Sequence, residues 1–180
     1  MGSGQGSTIR AICNAVKYEI LNVNISCILA NKETNIFDII TELGVTIEEN
    51  LVLDKQNGQI NIPQQVSIFQ TWASHDYPFF PTVNSFNENE MIVSGLEKIQ
   101  FHFCSEIKID SLASNVIPII TTSNRSGTMQ GYYNLFPNTK NSPNPMLNNL
   151  NQGPKVLGVI IDSMMGGQVI LLSESDIFAD

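Results

Sequence analysis

Residues 156–173, VLGVIIDSMMGGQVILLS, predict two neighbouring strands that lie deep in the fold. The arms VLGVIID (156–162) and QVILLS (168–173) are apolar at odd and even positions alike. Strands that are buried on both faces have this pattern, whereas half-exposed strands alternate apolar and polar residues. The Ser-Met-Met-Gly-Gly sequence between the arms separates them.

Upstream, several stretches show the two-residue period of a strand with one buried face. Ile99, Phe101 and Phe103 are apolar, with Gln100 and His102 on the other face. The same period runs from Leu21 to Leu29 through Val23, Ile25 and Cys27. Further strand candidates are QVSIFQTW (65–72), MIVSG (91–95), KIQFHFCS (98–105), EIKIDS (106–111) and NVIPIITTS (115–123). Many short strands without helices between the later ones favour a β-sandwich or a jelly roll.

Helices are expected near the N-terminus, at residues 8–15 and at residues 34–43, where Gly44 ends the second one. The prediction is therefore an all-β, β-sandwich or jelly-roll-like single domain with one or two short N-terminal helices. We expect residues 1–15 to form an arm or short helix and residues 16–180 to form one β-rich domain. Within that domain, residues 122–155 are rich in Asn, Ser, Pro and Gly and predict a long irregular loop.

Asn57-Gly58 is the strongest turn signal in the chain, because both central residues of a type I′ turn need positive φ. The apolar stretches VTIEENLVLD (45–54) and QINIP (59–63) flank it. We therefore expect these two stretches to pair as a hairpin.

Composition excludes several classes of function. The chain has 180 residues, of which 42% are hydrophobic and 14% are charged, and its net charge is −8. That charge argues against nucleic-acid binding, which depends on cations at phosphates, and it gives no support for charge-driven adhesion to an anionic membrane. No apolar run reaches the roughly 18 residues of a transmembrane helix. The start, MGSGQGST, lacks the apolar region of a secretion signal. Localisation is therefore open. We expect cytoplasmic synthesis, with assembly into a particle or an extracellular structure as a possible later step.

No catalytic, metal or cofactor site is predicted. Cys13, Cys27 and Cys104 are widely spaced, which excludes a CxxC site; we expect small buried hydrophobes, with a link to a neighbouring subunit as the alternative. A calcium site remains an alternative, because carboxylates stand at predicted strand ends: Asp110, Asp162, Glu174 and Asp176.

The stretch TWASHDYPFFPTV (71–83) combines the only tryptophan with a Ser-His-Asp run. Consecutive residues point in diverging directions, so Ser74, His75 and Asp76 do not predict a catalytic triad, and we expect a turn there. Pro78 and Pro81 remove backbone donors, which predicts an ordered segment outside the strand ladders. Its aromatic side chains could cap the core, anchor a partner or stack on a sugar.

The low charge content means that copies of the chain repel one another weakly, and the aromatic residues outside the strand alternation have no predicted place in the core. Both features favour a structural self-assembling subunit, such as a filament, shell, capsid or particle protein. We do not expect an enzyme. The expected partners are copies of the chain itself. The alternative is a ligand- or carbohydrate-binding β-sandwich of lectin or toxin type with a glycan as ligand. The predicted interface residues are Gly2, Ile9, Ile12, Trp72, Tyr77, Phe79, Phe80, Tyr132, Tyr133 and Phe136.

Overall fold

The computed structural model describes residues 40–66, 69–139, 143–148, 150–162 and 167–174, all of which belong to one unit, Asn35–Asp180. The predicted arm at residues 1–15, the helix at 8–15 and the strand from Leu21 to Leu29 lie outside the described residues. So do Gly2, Ile9 and Ile12. The C-terminal end of the second predicted helix is present at residues 40–42, and Gly44 ends it with φ +84°.

Strands dominate the described part of the chain, which confirms the all-β, sandwich-like prediction. Two short 3₁₀ helices, Met91–Val93 and Pro145–Asn148, interrupt them. The eleven strands of this part are β1 (Val45–Ile47), β2 (Leu51–Asp54), β3 (Asn57–Val66), β4 (Phe69–Val83), β5 (Ser85–Phe86), β6 (Ile99–Gln100), β7 (Ile107–Ile109), β8 (Val116–Thr121), β9 (Ser126–Met129), β10 (Val156–Asp162) and β11 (Gln168–Leu172).

The strands form four antiparallel sheets. One has four strands in the order β11-β10-β8-β5, one has three in the order β3-β4-β6, and two are strand pairs, β1-β7 and β2-β9. Most neighbours are distant in sequence. The sheets therefore depend on long-range contacts rather than on a succession of local hairpins.

The central strand β10 is buried on both faces, as its sequence predicts. Leu157 and Ile160 pack into one core cluster, whereas Val159 and Ile161 pack into another. Its hairpin partner β11 is an edge strand whose residues are exposed or half-buried. The two arms are equally hydrophobic in sequence, but they differ in position: β10 has a neighbouring strand on each side, whereas β11 has one on a single side.

The predicted hairpin at Asn57-Gly58 is wrong. β2 pairs with β9, and β3 pairs with β4 instead. Gly58 has no positive φ and lies within β3, next to a register shift between Asn57 and Gly58. The chain turns at residues 55–56, where the Asp54 carboxylate accepts a hydrogen bond from Gln56 N at 2.9 Å.

The stretch TWASHDYPFFPTV is a strand, which corrects the prediction of a turn and a segment outside the ladders. In β4, Tyr77 pairs with Gly58 and Pro81 pairs with Asn57. Residues 78–80 thus form a bulge opposite this register shift. Proline is tolerated at bulges, since a bulged residue needs no ladder hydrogen bond.

Two other predicted strands are shorter or absent. Met91–Val93 is a 3₁₀ helix, and the strand that begins at Ile99 ends after Gln100. Phe103 has φ +53°, an uncommon conformation for a bulky residue, so the two-residue alternation breaks there. The Phe103 ring lies 5.1 Å from that of Phe80, which places it at the end of an aromatic cluster.

Residues 122–155 are less irregular than predicted, because β9 and the helix Pro145–Asn148 lie within them. Leu147 and Leu150 are buried beside β2 and β4 residues in a core cluster. The segment is therefore packed on its own domain. Among the described residues, no helix is long and apolar enough to cross a membrane.

Candidate functional site

A long β-hairpin extends from the core and forms the first part of the candidate site. Its strands β3 and β4 pair continuously from Gly58↔Tyr77 to Val66↔Phe69. Every residue whose burial is described between Gly58 and Asp76 is exposed or half-buried. We call the described residues of this strand pair, 58–66 and 69–76, the hairpin arm.

Polar side chains connect the two strands of the hairpin arm. Gln59 accepts a hydrogen bond from Ser74 Oγ at 2.9 Å and donates one to Asp76 Oδ1 at 2.9 Å. On the opposite face, Gln64 contacts His75 Nε2 at 2.9 Å. Ser74 and Asp76 therefore lie on one face and His75 on the other, so the three do not converge.

Trp72 is the exposed large apolar side chain among the positions of the hairpin arm whose burial is described. Its side chain is 69% exposed, and it stands opposite Pro63 in the strand pairing. A rigid indole ring held on a paired strand loses little entropy when it is buried by a partner. The hairpin arm can therefore serve as a contact surface.

A polar cleft of about 530 Å³ lies at the base of the hairpin arm. One wall comes from β4 and the other from the segment that follows Asn138. Lys55 and Arg125 line the cleft and also line an adjoining concavity of about 390 Å³. The remaining cleft residues are Asn57, Ser74, His75, Asp76, Pro78, Asn138, Leu147, Asn148, Leu150 and Asn151.

A buried carboxylate holds the two cationic turns together. Asp54 is fully buried, and it accepts hydrogen bonds from Ser123 N at 2.7 Å and from Ser123 Oγ at 2.5 Å. Lys55 N in turn donates to Arg125 O at 3.0 Å. A buried carboxylate is tolerated when hydrogen bonds compensate its lost hydration. Asp54 thus fixes the spacing of Lys55 and Arg125.

Residues 132–136, YYNLF, form a loop whose apolar side chains face solvent. Tyr132 and Phe136 are each 74% exposed, and Tyr133 and Leu135 are also exposed. We call this segment the aromatic loop. Four large apolar side chains within five residues form an exposed patch of the kind that marks an interaction site.

Hydrogen bonds from inside the protein hold the backbone of the aromatic loop. Asn144 is only 2% exposed, and its Nδ2 donates to Asn134 O at 3.0 Å and to Phe136 O at 2.8 Å. The buried Tyr77 hydroxyl donates to Leu135 O at 2.8 Å. The loop is therefore ordered before any partner binds.

Tyr77 and Phe79 are buried in the chain's own core, which corrects their assignment to a surface that meets a partner. They pack with Leu53 and Met129, and burial raises the pKa of the Tyr77 hydroxyl above its ordinary value of 10.0. Phe80 is half-buried, with its ring 4.5 Å from that of His102. Trp72, Tyr132, Tyr133 and Phe136 are exposed, so their role as contact residues stays a prediction.

Cys104 is a buried free thiol, as the expectation of small buried hydrophobes requires. Cys13 and Cys27 lie outside the described residues. The possible calcium ligands include Asp176, which also lies outside them. Among the described residues, no three His, Cys, Asp or Glu side chains are grouped as a metal site would require.

Sequence reasoning missed Asp54 and Asn144, the two residues that organise the site. Asp54 had a usable signal, because Asp before a short polar stretch favours a side-chain-capped turn. Asn144 had none. It stands between Pro143 and Pro145 in a segment with many other asparagines, and only the fold buries it.

Comparison with known proteins identifies the family. A family model described as an ABC-type uncharacterized transport system matches residues 17–167, which is most of the chain. No curated protein matches. The family match overturns the predicted structural self-assembling, capsid-like subunit, and it gives no support to the lectin or toxin alternative. The chain belongs to the family described as an ABC-type uncharacterized transport system.

Proposed function

We propose that this chain is an auxiliary component of an ABC-type transport system, and that it acts by binding another protein of that system rather than by catalysis. The observation that carries the proposal is the family match over residues 17–167. The partners of such a component are proteins of the transport system, so neither self-association nor glycan binding is required.

The hairpin arm supports a binding role. Its side chains of described burial are exposed or half-buried, and Trp72 is exposed at its surface. Tryptophan is among the residues that contribute most to protein–protein affinity. The Ser-His-Asp run within the arm makes cross-strand hydrogen bonds to Gln59 and Gln64, which is a structural role.

The test is co-purification from the source organism. A tagged full-length chain should bring down the ATPase or membrane subunit of an ABC-type transport system, and a tag on that subunit should bring down the chain. Trp72→Ser should weaken the complex roughly thirtyfold, the effect of losing a contact worth about 2 kcal/mol.

The matched control is Leu112→Ser. Leu112 is 89% exposed but lies in the turn between β7 and β8, away from the hairpin arm in sequence. If neither tagged protein recovers the other, the proposed function is wrong. If the complex forms but tolerates Trp72→Ser as well as Leu112→Ser, the function stands and the hairpin arm is not the contact.

A further inference from the structure

The proposed protein contact is assigned to the hairpin arm, and the chemistry of the aromatic loop differs from that of the arm. It presents two tyrosines, a leucine and a phenylalanine, whereas the described positions of the arm are mostly polar. Aromatic residues with a polar tip are enriched where proteins meet the headgroup region of a bilayer. The loop therefore needs an explanation of its own.

The backbone of the aromatic loop is held in a way that suits entry of its side chains into an apolar phase. Asn144 and Tyr77 hold the carbonyl groups of Asn134, Leu135 and Phe136 from the protein side. Those carbonyl groups therefore keep their hydrogen-bond donors when the side chains of the loop move from water into an apolar phase. A loop that is already ordered also loses little conformational entropy on docking.

The charge pattern around the loop is unlike that of the rest of the chain. No Asp or Glu occurs from residue 111 to residue 161, a stretch that contains Arg125, Lys140 and Lys155. The stretch therefore carries +3, and the remaining residues carry −8 − 3 = −11. The loop's own segment therefore adds no carboxylate that would oppose a surface of lipid phosphates; an acidic residue beside the loop is Glu49, whose carbonyl oxygen accepts a hydrogen bond from the Tyr133 hydroxyl at 3.2 Å.

Two cations line a cleft that is also lined by a residue just after the loop. Asn138, two residues after Phe136, lines the same cleft as Lys55 and Arg125. Among the described residues, the ion pairs of lysines are Lys108 with Glu48 and Lys155 with Glu106, and neither Lys55 nor Arg125 forms one, although Asp76 lines the same cleft. Both are thus available to an external anion.

From the loop's side chains, its held backbone and the neighbouring cations, we propose that the aromatic loop docks on a phospholipid bilayer. Tyr132 and Phe136 enter the headgroup region, and Lys55 and Arg125 contact lipid phosphates. This goes beyond the proposed function, since it concerns a lipid surface rather than a protein component. The net charge of −8 opposes long-range attraction to anionic membranes, so the apolar side chains supply most of the affinity.

The test is sedimentation of the purified full-length chain with vesicles, in the absence of any transport protein. Wild-type chain should sediment with phosphatidylcholine vesicles and with vesicles that also contain phosphatidylserine. Tyr132→Ser with Phe136→Ser should lower the partition coefficient at least about tenfold on both, because two buried apolar side chains are lost. Lys55→Gln with Arg125→Gln should lower it on both to a smaller extent.

The control variant is Met91→Ser with Leu112→Ser, which removes two exposed apolar side chains outside the loop. It should bind vesicles as the wild type does. All variants keep their core residues, and circular dichroism and melting temperature confirm folding before each measurement.

A second measurement reports the position of the loop directly. With Trp72→Phe as background, Phe136→Trp places the only tryptophan in the aromatic loop. Its emission should shift to shorter wavelength when vesicles are added, whereas the original Trp72 should not respond.

Three outcomes would overturn the proposal: no sedimentation of the wild type with either vesicle, equal losses in the loop and control variants, or no spectral shift at position 136. Two results together would also overturn it: the loop variant binds vesicles as the wild type does, but it no longer recovers a protein of the transport system. These results would identify the loop as a protein contact. The vesicle and fluorescence results by themselves do not bear on whether the chain belongs to a transport complex.

Discussion

The hydroxyl of Tyr77 donates a hydrogen bond of 2.8 Å to the carbonyl oxygen of Leu135, 58 residues further along the chain. Tyr77 lies in the core on β4, and Leu135 lies in the exposed aromatic loop. One contact thus connects the interior of the domain to its most apolar surface segment. The position of the loop is consequently a property of the core.

Tyr77→Phe should loosen the aromatic loop without disturbing the core around the ring. The free energy of unfolding should fall by about 0.5–1.5 kcal/mol, the net contribution of one hydrogen bond. Amide hydrogen exchange in residues 132–136 should become faster. Tyr132→Phe is the control, since its exposed hydroxyl has no partner in the described part of the chain; equal exchange in the two variants would contradict the prediction.

Asn144→Ala should be more damaging, because it removes the donor to both Asn134 O and Phe136 O in a buried setting. We expect a loss of about 2 kcal/mol in chemical denaturation, from carbonyls left without their donor. Asn148→Ala changes an exposed asparagine in the same short segment and should cost little. Similar denaturation midpoints for the two variants would show that Asn144 does not hold the loop.

Gly158→Ala should destabilise the fold more than Gly58→Ala, although both glycines lie in strands. A Cβ at Gly158 would come within 2.9 Å of Leu172 Cδ2 and 3.2 Å of Ile120 Cβ, deep in the four-stranded sheet. Overpacking of this kind costs about 1–3 kcal/mol.

A Cβ at Gly58 meets only the end of the Gln100 side chain, which can rotate away. The loss there should be well below that at Gly158, and thermal unfolding of the two variants measures both. If Gly58→Ala proves the more destabilising, the backbone at Gly58 must have a conformation other than the one described.

Cys104 should be unreactive in the folded protein. Burial raises the pKa of its thiol from 9.0 to about 12, and the nearby charge of Glu174 adds to the increase. In a chain with Cys13→Ser and Cys27→Ser, a thiol reagent at about pH 8 should label Cys104 only after denaturant unfolds the domain. Rapid labelling of the folded protein would contradict the buried position.

The same shift predicts a pH dependence of stability. The folded state favours the protonated thiol, so this contribution is fully present below pH 9 and is lost as the pH rises towards about 12. When Cys104→Val is added to the chain with Cys13→Ser and Cys27→Ser, the free energy of unfolding should fall less above pH 9, as measured by urea unfolding. An identical pH profile with and without the thiol would exclude this cause.

Local pattern was sufficient to predict the strand content and the central position of β10. The apolar run from Val156 to Ile161 favours cover on both faces and β10 has it, although the equally apolar β11 lies at the sheet edge and is exposed or half-buried. Gly44 likewise ends a helix because the left-handed conformation there suits glycine.

Pairing could not be predicted in the same way. Asn57-Gly58 has the local chemistry of a hairpin turn, yet β2 leaves to pair with β9 more than seventy residues later. The preference of Asn-Gly for a turn contributes less to the stability of the fold than a sheet contact that buries Val52 and Leu53. The prolines of β4 were wrongly predicted to lie outside the ladders for a related reason: Pro78 lies in a bulge that only the paired strands create, and Pro81 pairs with Asn57.

The sequence by itself determined that this is an acidic, strand-rich chain whose residues 111–161 lack carboxylates, because composition and two-residue periodicity depend on each residue alone. Only the tertiary structure decided which apolar side chains remain outside the core. Tyr77 and Phe136 are both aromatic residues near prolines, and one is buried while the other is 74% exposed. Burial depends on what packs against a side chain, and the core neighbours of Tyr77, which include Met129 and Leu147, come from distant parts of the chain.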